Sequence, residues 1–228
     1  MKSERIDFVS AIIQARMSSK RLPGKVISLV NNRPLLSLLI NRIRMCQLVD
    51  EIIVATTSNE NDDVIEELAL KEGVKVFRGD ENNVLSRFAE ASKYSSGEVI
   101  VRITADCPLM DPNILTEVIK AYKKGGYDYI CNTQPPTYPD GLDVEVFSRD
   151  VLLESDKYAE SYIDKEHVTP WMIKNKKLKK KNISNKVDFS KYRWCVDYPE
   201  DLELIKKILL NFKNRFDFGW EEVLRLVQ

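Results

Sequence analysis

Histidine is nearly missing from these 228 residues, since His167 stands alone. A multi-histidine metal centre is therefore excluded, and a Ser-His-Asp triad would hang on that one residue. Cysteine is scarce and scattered. Cys46, Cys107, Cys131 and Cys195 form no C-x-x-C pair, which excludes a zinc ribbon or dithiol redox motif and leaves buried free thiols. A net charge of either sign is lacking too, because 35 basic residues balance 35 acidic ones. No global field draws such a chain to nucleic acid or to an anionic membrane, so any anion site is local. No apolar run is long enough to span a bilayer, and the opening "MKSERIDFVSAIIQAR" has no signal-like cleavage region; the expectation is a soluble cytoplasmic protein. Neither G-x-x-x-x-G-K-[ST] nor G-x-G-x-x-G occurs. The first absence sets aside a P-loop NTPase, and the second disfavours a dinucleotide-binding dehydrogenase.

What is present is a core-forming composition, 43% hydrophobic, sufficient for one domain over residues 1–228. Short β-branched runs at 8–13, 51–55, 74–77 and 98–103 read as strands. Amphipathic helical segments lie between them. That alternation predicts an α/β protein with a mixed, mostly parallel sheet flanked by helices. Asn61 is a candidate cap for the second helix, which stops at Gly73, and Asp111 followed by Pro112 reads as N-cap and first helical residue. A further strand is expected at 127–132. After it comes the proline-rich "TQPPTYPDGLDVEVFS", with a strand at 142–147, read as a loop and hairpin laid over the sheet within an arm-like region of about 133–190. Short helices should follow, among them "EHVTPWMIKN". "RWCVD" then resumes a strand and "YPEDLELIKKILLNF" is the last long helix.

The candidate site residues fall where such sheets bind ligands, at the carboxyl ends of strands. Gln14, Ala15 and Arg16 follow the first strand, Thr56 the second, Arg78 the third, Asp106 the fourth, and Asp197 the strand before the last helix. The loop "IIQARMSSKRLPGKVI" combines small residues Ala15, Ser18 and Ser19 with the planar fork of Arg16 and the point charge of Lys25. Backbone N–H groups with those cations suit a polyphosphate. Asp106 and Asp197, beside that loop, are what Mg²⁺ requires, because it takes few protein oxygens and completes its shell with phosphate and water. Asp143 and Glu145 alternate onto one strand face, as acceptor contacts or as solvated charges. Asp140 belongs to a turn beside them. His167 stands open between recognising an anionic acceptor and a structural role, and Arg78 and Arg102 between binding base, ribose or acceptor and simple ion pairing. The lysine-rich "KNKKLKKK" lacks interleaved aromatics and reads as a solvated loop or helix end.

Seven blocks in order, "IIQARMSSKRLPGKVI", "EIIVATTSNENDD", "VFRGDENNVLSRF", "VIVRITADCPLMDP", "PPTYPDGLDVEVF", "EHVTPWMIKN" and "RWCVDYPEDLELI", resemble the spore-coat polysaccharide biosynthesis nucleotidyltransferases. These are similar to the acylneuraminate and CMP-Kdo cytidylyltransferases. The resemblance implies a Rossmann-like nucleotide-diphospho-sugar transferase fold and transfer of CMP to a sugar acid with release of pyrophosphate. It implies that Arg16, Arg21 and Lys25 handle the triphosphate and that Asp106 and Asp197 hold Mg²⁺. CTP or another NTP, a small anionic acceptor and a homodimer are the partners it suggests. Relatives often carry T-R-L-P-G-K where this chain has Lys20-Arg21, a departure that keeps the cations. The acceptor signatures of the acylneuraminate enzymes are missing, which argues against sialic acid.

Two other classes compete. An NDP-sugar-dependent glycosyltransferase usually needs a D-x-D pair after a strand, and the nearest approach, Asp128-Tyr129-Ile130, fails. A nucleotide-binding module without turnover should have lost a cation or carboxylate from the set, and all are present.

Overall fold

The computed structural model describes residues 8–213 and 215–228. The first seven residues, on which part of the expectation about a leader falls, lie outside the described residues. The strands are β1 (Val9–Gln14), β2 (Leu29–Val30), β3 (Arg33–Pro34), β4 (Glu51–Thr57), β5 (Lys75–Gly79), β6 (Val99–Thr104), β7 (Tyr129–Cys131), β8 (Glu145–Ser148) and β9 (Lys180–Asn182). The helices are α1 (Leu35–Arg44), α2 (Asp63–Lys71), α3 (Val84–Tyr94), α4 (Pro112–Lys123), α5 (Arg149–Tyr158), α6 (Tyr162–His167), α7 (Pro170–Lys174), α8 (Pro199–Phe212) and α9 (Trp220–Val227). Among the described residues one seven-stranded sheet runs in the order β5-β4-β1-β6-β8-β7-β9, and β2 and β3 form a separate hairpin. β1 pairs in parallel with both β4 and β6, while β8 is antiparallel to its neighbours β6 and β7. The sheet is mixed and mostly parallel, as the sequence implies.

Alternation along the central strands sorts side chains to two covered faces, which is why these strands read as unbroken apolar runs. Ala11, Ile13, Val54, Val101 and Ile103 join one cluster with residues of α1, α4, α8 and α9. Ile12, Ile53, Ala55 and Ile100 join the other, with α3 and α5. No described helix is long and apolar enough to cross a membrane. Asp111 caps α4 by accepting from the N–H groups of Asn113 (2.7 Å) and Ile114 (3.1 Å), as expected. α2 starts later than Asn61 suggests, with Asp62 at its N-cap position.

Four expectations need correction. The hairpin is not laid over the sheet, because β8 is inserted between β6 and β7. The predicted strand at 142–147 is regular only from Glu145. Ahead of it the buried Asn132 amide donates to Leu142 O (2.8 Å) and accepts from Val144 N (2.8 Å), replacing ladder bonds. "RWCVD" is not a strand, since β1 and β8 already occupy both sides of β6. The segment instead makes one bridge, Asp140 to Arg193, and donates Val196 N to Asp106 O at 2.8 Å. Finally, Lys180 and Lys181 of the lysine cluster lie in β9, on the sheet edge, where charge discourages pairing with another chain.

Candidate active site

The carboxyl ends of β1 and β6 open into a cleft of about 370 Å³, where ligands of open α/β sheets bind. Gln14, Ala15, Arg16, Ser19, Arg21 and Lys25 line it from the loop after β1; Arg102 and Asp106 from β6 and its following turn; Arg87 from α3; Glu166 and His167 from the end of α6; and Asp197 from the irregular segment. The loop is closed on itself, because Met17 O accepts from both Ser19 N and Gly24 N at 2.9 Å. Gly24 has φ 72°, a left-handed conformation that favours glycine, and the next residue, Lys25, turns inward. Asp62 anchors the loop from behind. Its carboxylate accepts from Met17 N (2.7 Å), from Thr57 N (3.1 Å) and from the hydroxyls of Thr56 and Thr57.

That hub corrects the reading of Thr56, which is fully buried with its hydroxyl on Asp62 and does not reach the cleft. Arg78 is also placed elsewhere. On edge strand β5 it pairs with Asp63 (2.6 Å) and Glu66 (2.7 Å), whose first-turn positions on α2 made them the nearest acids. Ser18 turns its hydroxyl to Glu81 and does not line the cleft.

Lys25 is the centre of the charge arrangement. Its Nζ donates to Asp106 Oδ2 (2.8 Å), Asp197 Oδ1 (2.9 Å) and Val196 O (2.7 Å). Burial alone would lower its pKa, but the two carboxylates outweigh burial and the pKa is raised. The same contact acts in reverse on Asp106, where burial pushes the carboxyl up and Lys25 more than offsets it. Asp197 also pairs with Arg21 (2.7 Å) and with Arg193. Arg16 is half-buried, 3.3 Å from Glu81 O and 4.0 Å from Glu166. Arg87, which the sequence reading missed, is buried with only Asp80 O as a described hydrogen-bond partner (2.6 Å), and burial followed by repulsion from Arg16 lowers its pKa to about 10. Among the described residues, Nε of Arg87 and Nε of Arg102 are buried donors without an acceptor. Such donors beside a cleft favour an anion.

On the other side, only His167 of the four expected acceptor contacts lines the cleft. Glu145 is committed elsewhere. It is buried, pairs with Arg102, and accepts from the hydroxyls of Tyr129 and Thr169 (2.7 Å). Asp140 accepts from Cys195 Sγ (3.2 Å) and lies 3.4 Å from Arg193 Nε. Gly141 beside it has φ 101°, and a Cβ there would meet Cys195 N at 2.8 Å, so the segment carrying Asp197 approaches where only glycine fits.

Asp143 sits among acids. Burial, then Asp140 and Glu145, push its carboxyl from 3.8 up to about 7. The folded state thus holds this proton more tightly than the unfolded chain, and the stability it contributes below pH 3.8 is lost as pH rises through 7. Asp143→Asn should remove that loss. Melting curves in EDTA are expected to show the variant gaining on the wild type from pH 4 to pH 7, with no further gain above; a constant offset would mean Asp143 is ionised throughout.

Fold and cleft together define an α/β protein with a cation-rich cleft at its strand ends. The chain belongs to the cytidylyltransferase family, whose profile matches residues 10–223. It is 33% identical over 228 residues to the spore coat polysaccharide biosynthesis protein SpsF of Bacillus subtilis, covering 95% of this chain and 92% of that one. Its structure is similar to that of a cytidylyltransferase from Leptospira borgpetersenii, with a TM-score of 0.90 and 32% identity over 96% of this chain and 93% of the other. CMP:2-keto-3-deoxy-manno-octonic acid synthetase, solved with CTP, shares the fold at TM-score 0.68 and 16% identity, covering 90% and 99%. The family and fold read from the seven motif blocks are therefore borne out.

Proposed function

We propose that the chain transfers CMP from CTP to a small anionic sugar acceptor in surface-glycan synthesis, an acceptor oxygen attacking the α-phosphorus as pyrophosphate leaves. The observation that carries this is the cationic loop lining the strand-end cleft, with Lys25 and Arg21 sharing Asp197 Oδ1, Arg16 on the same loop, and Arg87 and Arg102, each with an unpartnered Nε, lining the same cleft. The family supports cytosine as the base, and the likeness to SpsF supports a polysaccharide precursor as the acceptor class. In this reading, Arg16 and Lys25 stabilise charge growing on the departing pyrophosphate, and the Ser19 backbone helps cradle it. An ionised phosphate or carboxylate acceptor needs no general base, which accords with Glu145 being consumed by Arg102.

Mg²⁺ belongs to the proposal, and the donor set suits it in part. Asp106 and Asp197 each approach the same Lys25 nitrogen within 2.9 Å, so they are close enough to share a cation. Asp106 answers to one cationic side chain, Lys25, and its Oδ1 meets the Cys107 thiol at 3.6 Å, whereas Asp197 answers to three cationic side chains. Asp106 is therefore the better ligand, with Asp197 joining as Lys25 and Arg21 turn to phosphate. Among the described residues no three His, Cys, Asp or Glu side chains form a metal site by themselves, which fits an ion completed by phosphate oxygens. When bound, it would polarise the phosphates and neutralise charge on them.

Each NTP should be incubated with a panel of sugar acids, reading pyrophosphate release and product mass. CTP with at least one acid is expected to give pyrophosphate and a product heavier than the acceptor by a CMP unit. Consumption of an NDP-sugar instead, or no pyrophosphate from any NTP, would overturn the reading.

A further inference from the structure

Among the described residues Val168 is the only β-branched residue at positive φ. It is fully buried, with φ 70° and ψ −53°, a region that a branched Cβ rarely enters. Thr169 N donates to His167 O at 2.8 Å across it. A hydrogen bond spanning one residue at these angles is the rarer, strained form of γ-turn. Strain of this kind persists only where the surroundings over-determine it, and it concentrates at functional sites.

Three ties hold this turn. The Val168 side chain belongs to the apolar cluster that contains Phe88 of α3 and Met172 of α7. Val168 N donates to Asp164 O at 3.1 Å, so the valine also closes the last turn of α6. The Thr169 hydroxyl, itself buried, donates to Glu145 Oε1 at 2.7 Å. Glu145 in turn pairs with Arg102, whose Nη2 donates to Gln14 Oε1 at 3.1 Å. Arg102 and Gln14 both line the cleft. A chain of polar contacts, half-buried at the cleft and buried at Thr169, thus runs from the cleft floor to the residue that follows the strained turn.

The turn comes immediately after Glu166 and His167, the two residues of α6 that line the cleft. Were its only task to join α6 to α7, glycine would adopt the same φ without strain. We propose that Val168 and Thr169 form a positioning element that fixes His167 at the cleft wall, referenced through Glu145 to Arg102 on the floor. Neither residue touches a reacting atom. The inference deepens the nucleotidyl-transfer reading and rests on it for the identity of the substrates, but the placement of His167 can be read without them.

The single histidine makes that reading direct, because one set of imidazole signals reports one residue. Thr169→Val removes the hydroxyl and keeps the shape; Val168→Gly removes both strain and anchor; Thr169→Ser keeps the hydrogen bond. Imidazole proton shifts are measured at fixed pH in substrate-free protein, alongside thermal unfolding and steady-state kinetics with CTP and the acceptor found in the screen. Thr169→Val and Val168→Gly are expected to move the His167 signals, and to lower kcat or raise the acceptor KM by at least about tenfold, with Thr169→Ser close to wild type in both. Thr169→Val carries the test if Val168→Gly does not fold. Unmoved signals and unchanged kinetics, with only a lower melting temperature, would overturn the proposal and leave the turn as a connector. Moved signals in a protein that releases no pyrophosphate from any NTP would sustain the positioning of His167 while removing the nucleotidyl-transfer reading.

Discussion

Replacing Lys25 by methionine is expected to lower turnover by about 10²–10³-fold, the range seen when one donor to a developing oxyanion is removed. The effect should not stop at chemistry. Lys25 Nζ is the shared partner of Asp106 and Asp197, and its removal leaves two carboxylates facing each other with Arg21 and Arg193 on Asp197 alone. Breaking a buried pair by removing one partner costs about 3–5 kcal/mol. The pH dependence has a definite sign. In the wild type the Asp106 carboxyl lies below its ordinary 3.8 because Lys25 overrides burial, so its stabilising contribution is present above that value and is lost on acidification through the folded pKa. In the variant burial is opposed only by the hydrogen bonds from Thr104 and Cys107, the carboxyl moves up, and the deficit in melting temperature should be largest near neutral pH and shrink as the solution is acidified. Turnover within tenfold of wild type in a variant that melts normally would remove Lys25 from the phosphate site.

How far the site could be read without the fold depends on what each residue answers to. The strand-end positions of Arg16, Lys25 and Asp106 were legible because a parallel sheet sends every such loop to one edge. Asp197 arrives at the same place by a different route. Its segment is no strand, and what carries it there is the Val196–Asp106 backbone bond and the close approach at Gly141, neither of which has a local signature. Thr56 and Glu145 were misplaced, and Arg78 took the ion-pairing alternative of its two readings, for a common reason: each stands at a correct strand end or face but has a closer partner, in Asp62, in Arg102, and in Asp63 and Glu66. Partner choice is a tertiary property. Arg87 was findable, since it falls three residues after Val84 and one before Phe88 on the buried side of α3, where a cation is out of place unless something anionic meets it.

Arg42 poses the same puzzle on α1, and its substitution should have the largest effect on stability. It lies three residues after Leu39 and one before Ile43, on the apolar face, and only 1% of its surface is exposed. No acid pairs with it at salt-bridge distance among the described residues. Instead Nε donates to Met110 O (2.7 Å), Nη1 to Phe216 O (2.6 Å), and Nη2 to Phe218 O (3.1 Å) and Leu109 O (3.4 Å), with the guanidinium 3.9 Å from the centre of the Phe218 ring. Burial lowers its pKa to about 10, which still leaves it charged at neutral pH. One side chain therefore holds the turn that follows Asp106 and Cys107 to the segment entering α9, a junction completed by Trp220 N donating to Asp111 Oδ2 at 2.7 Å. Arg42→Met keeps the length and apolar stem but leaves those carbonyls without their donors, and each buried group so stranded costs about 1–3 kcal/mol. A loss above about 4 kcal/mol is expected, in the exceptional range for one substitution. Urea unfolding should show a lower midpoint, and native-state hydrogen exchange should rise first at 109–111 and 216–220, ahead of β1 and β4. A midpoint close to wild type would mean that water replaces the guanidinium, and that the turn behind Asp106 is held by the Asp111 cap alone.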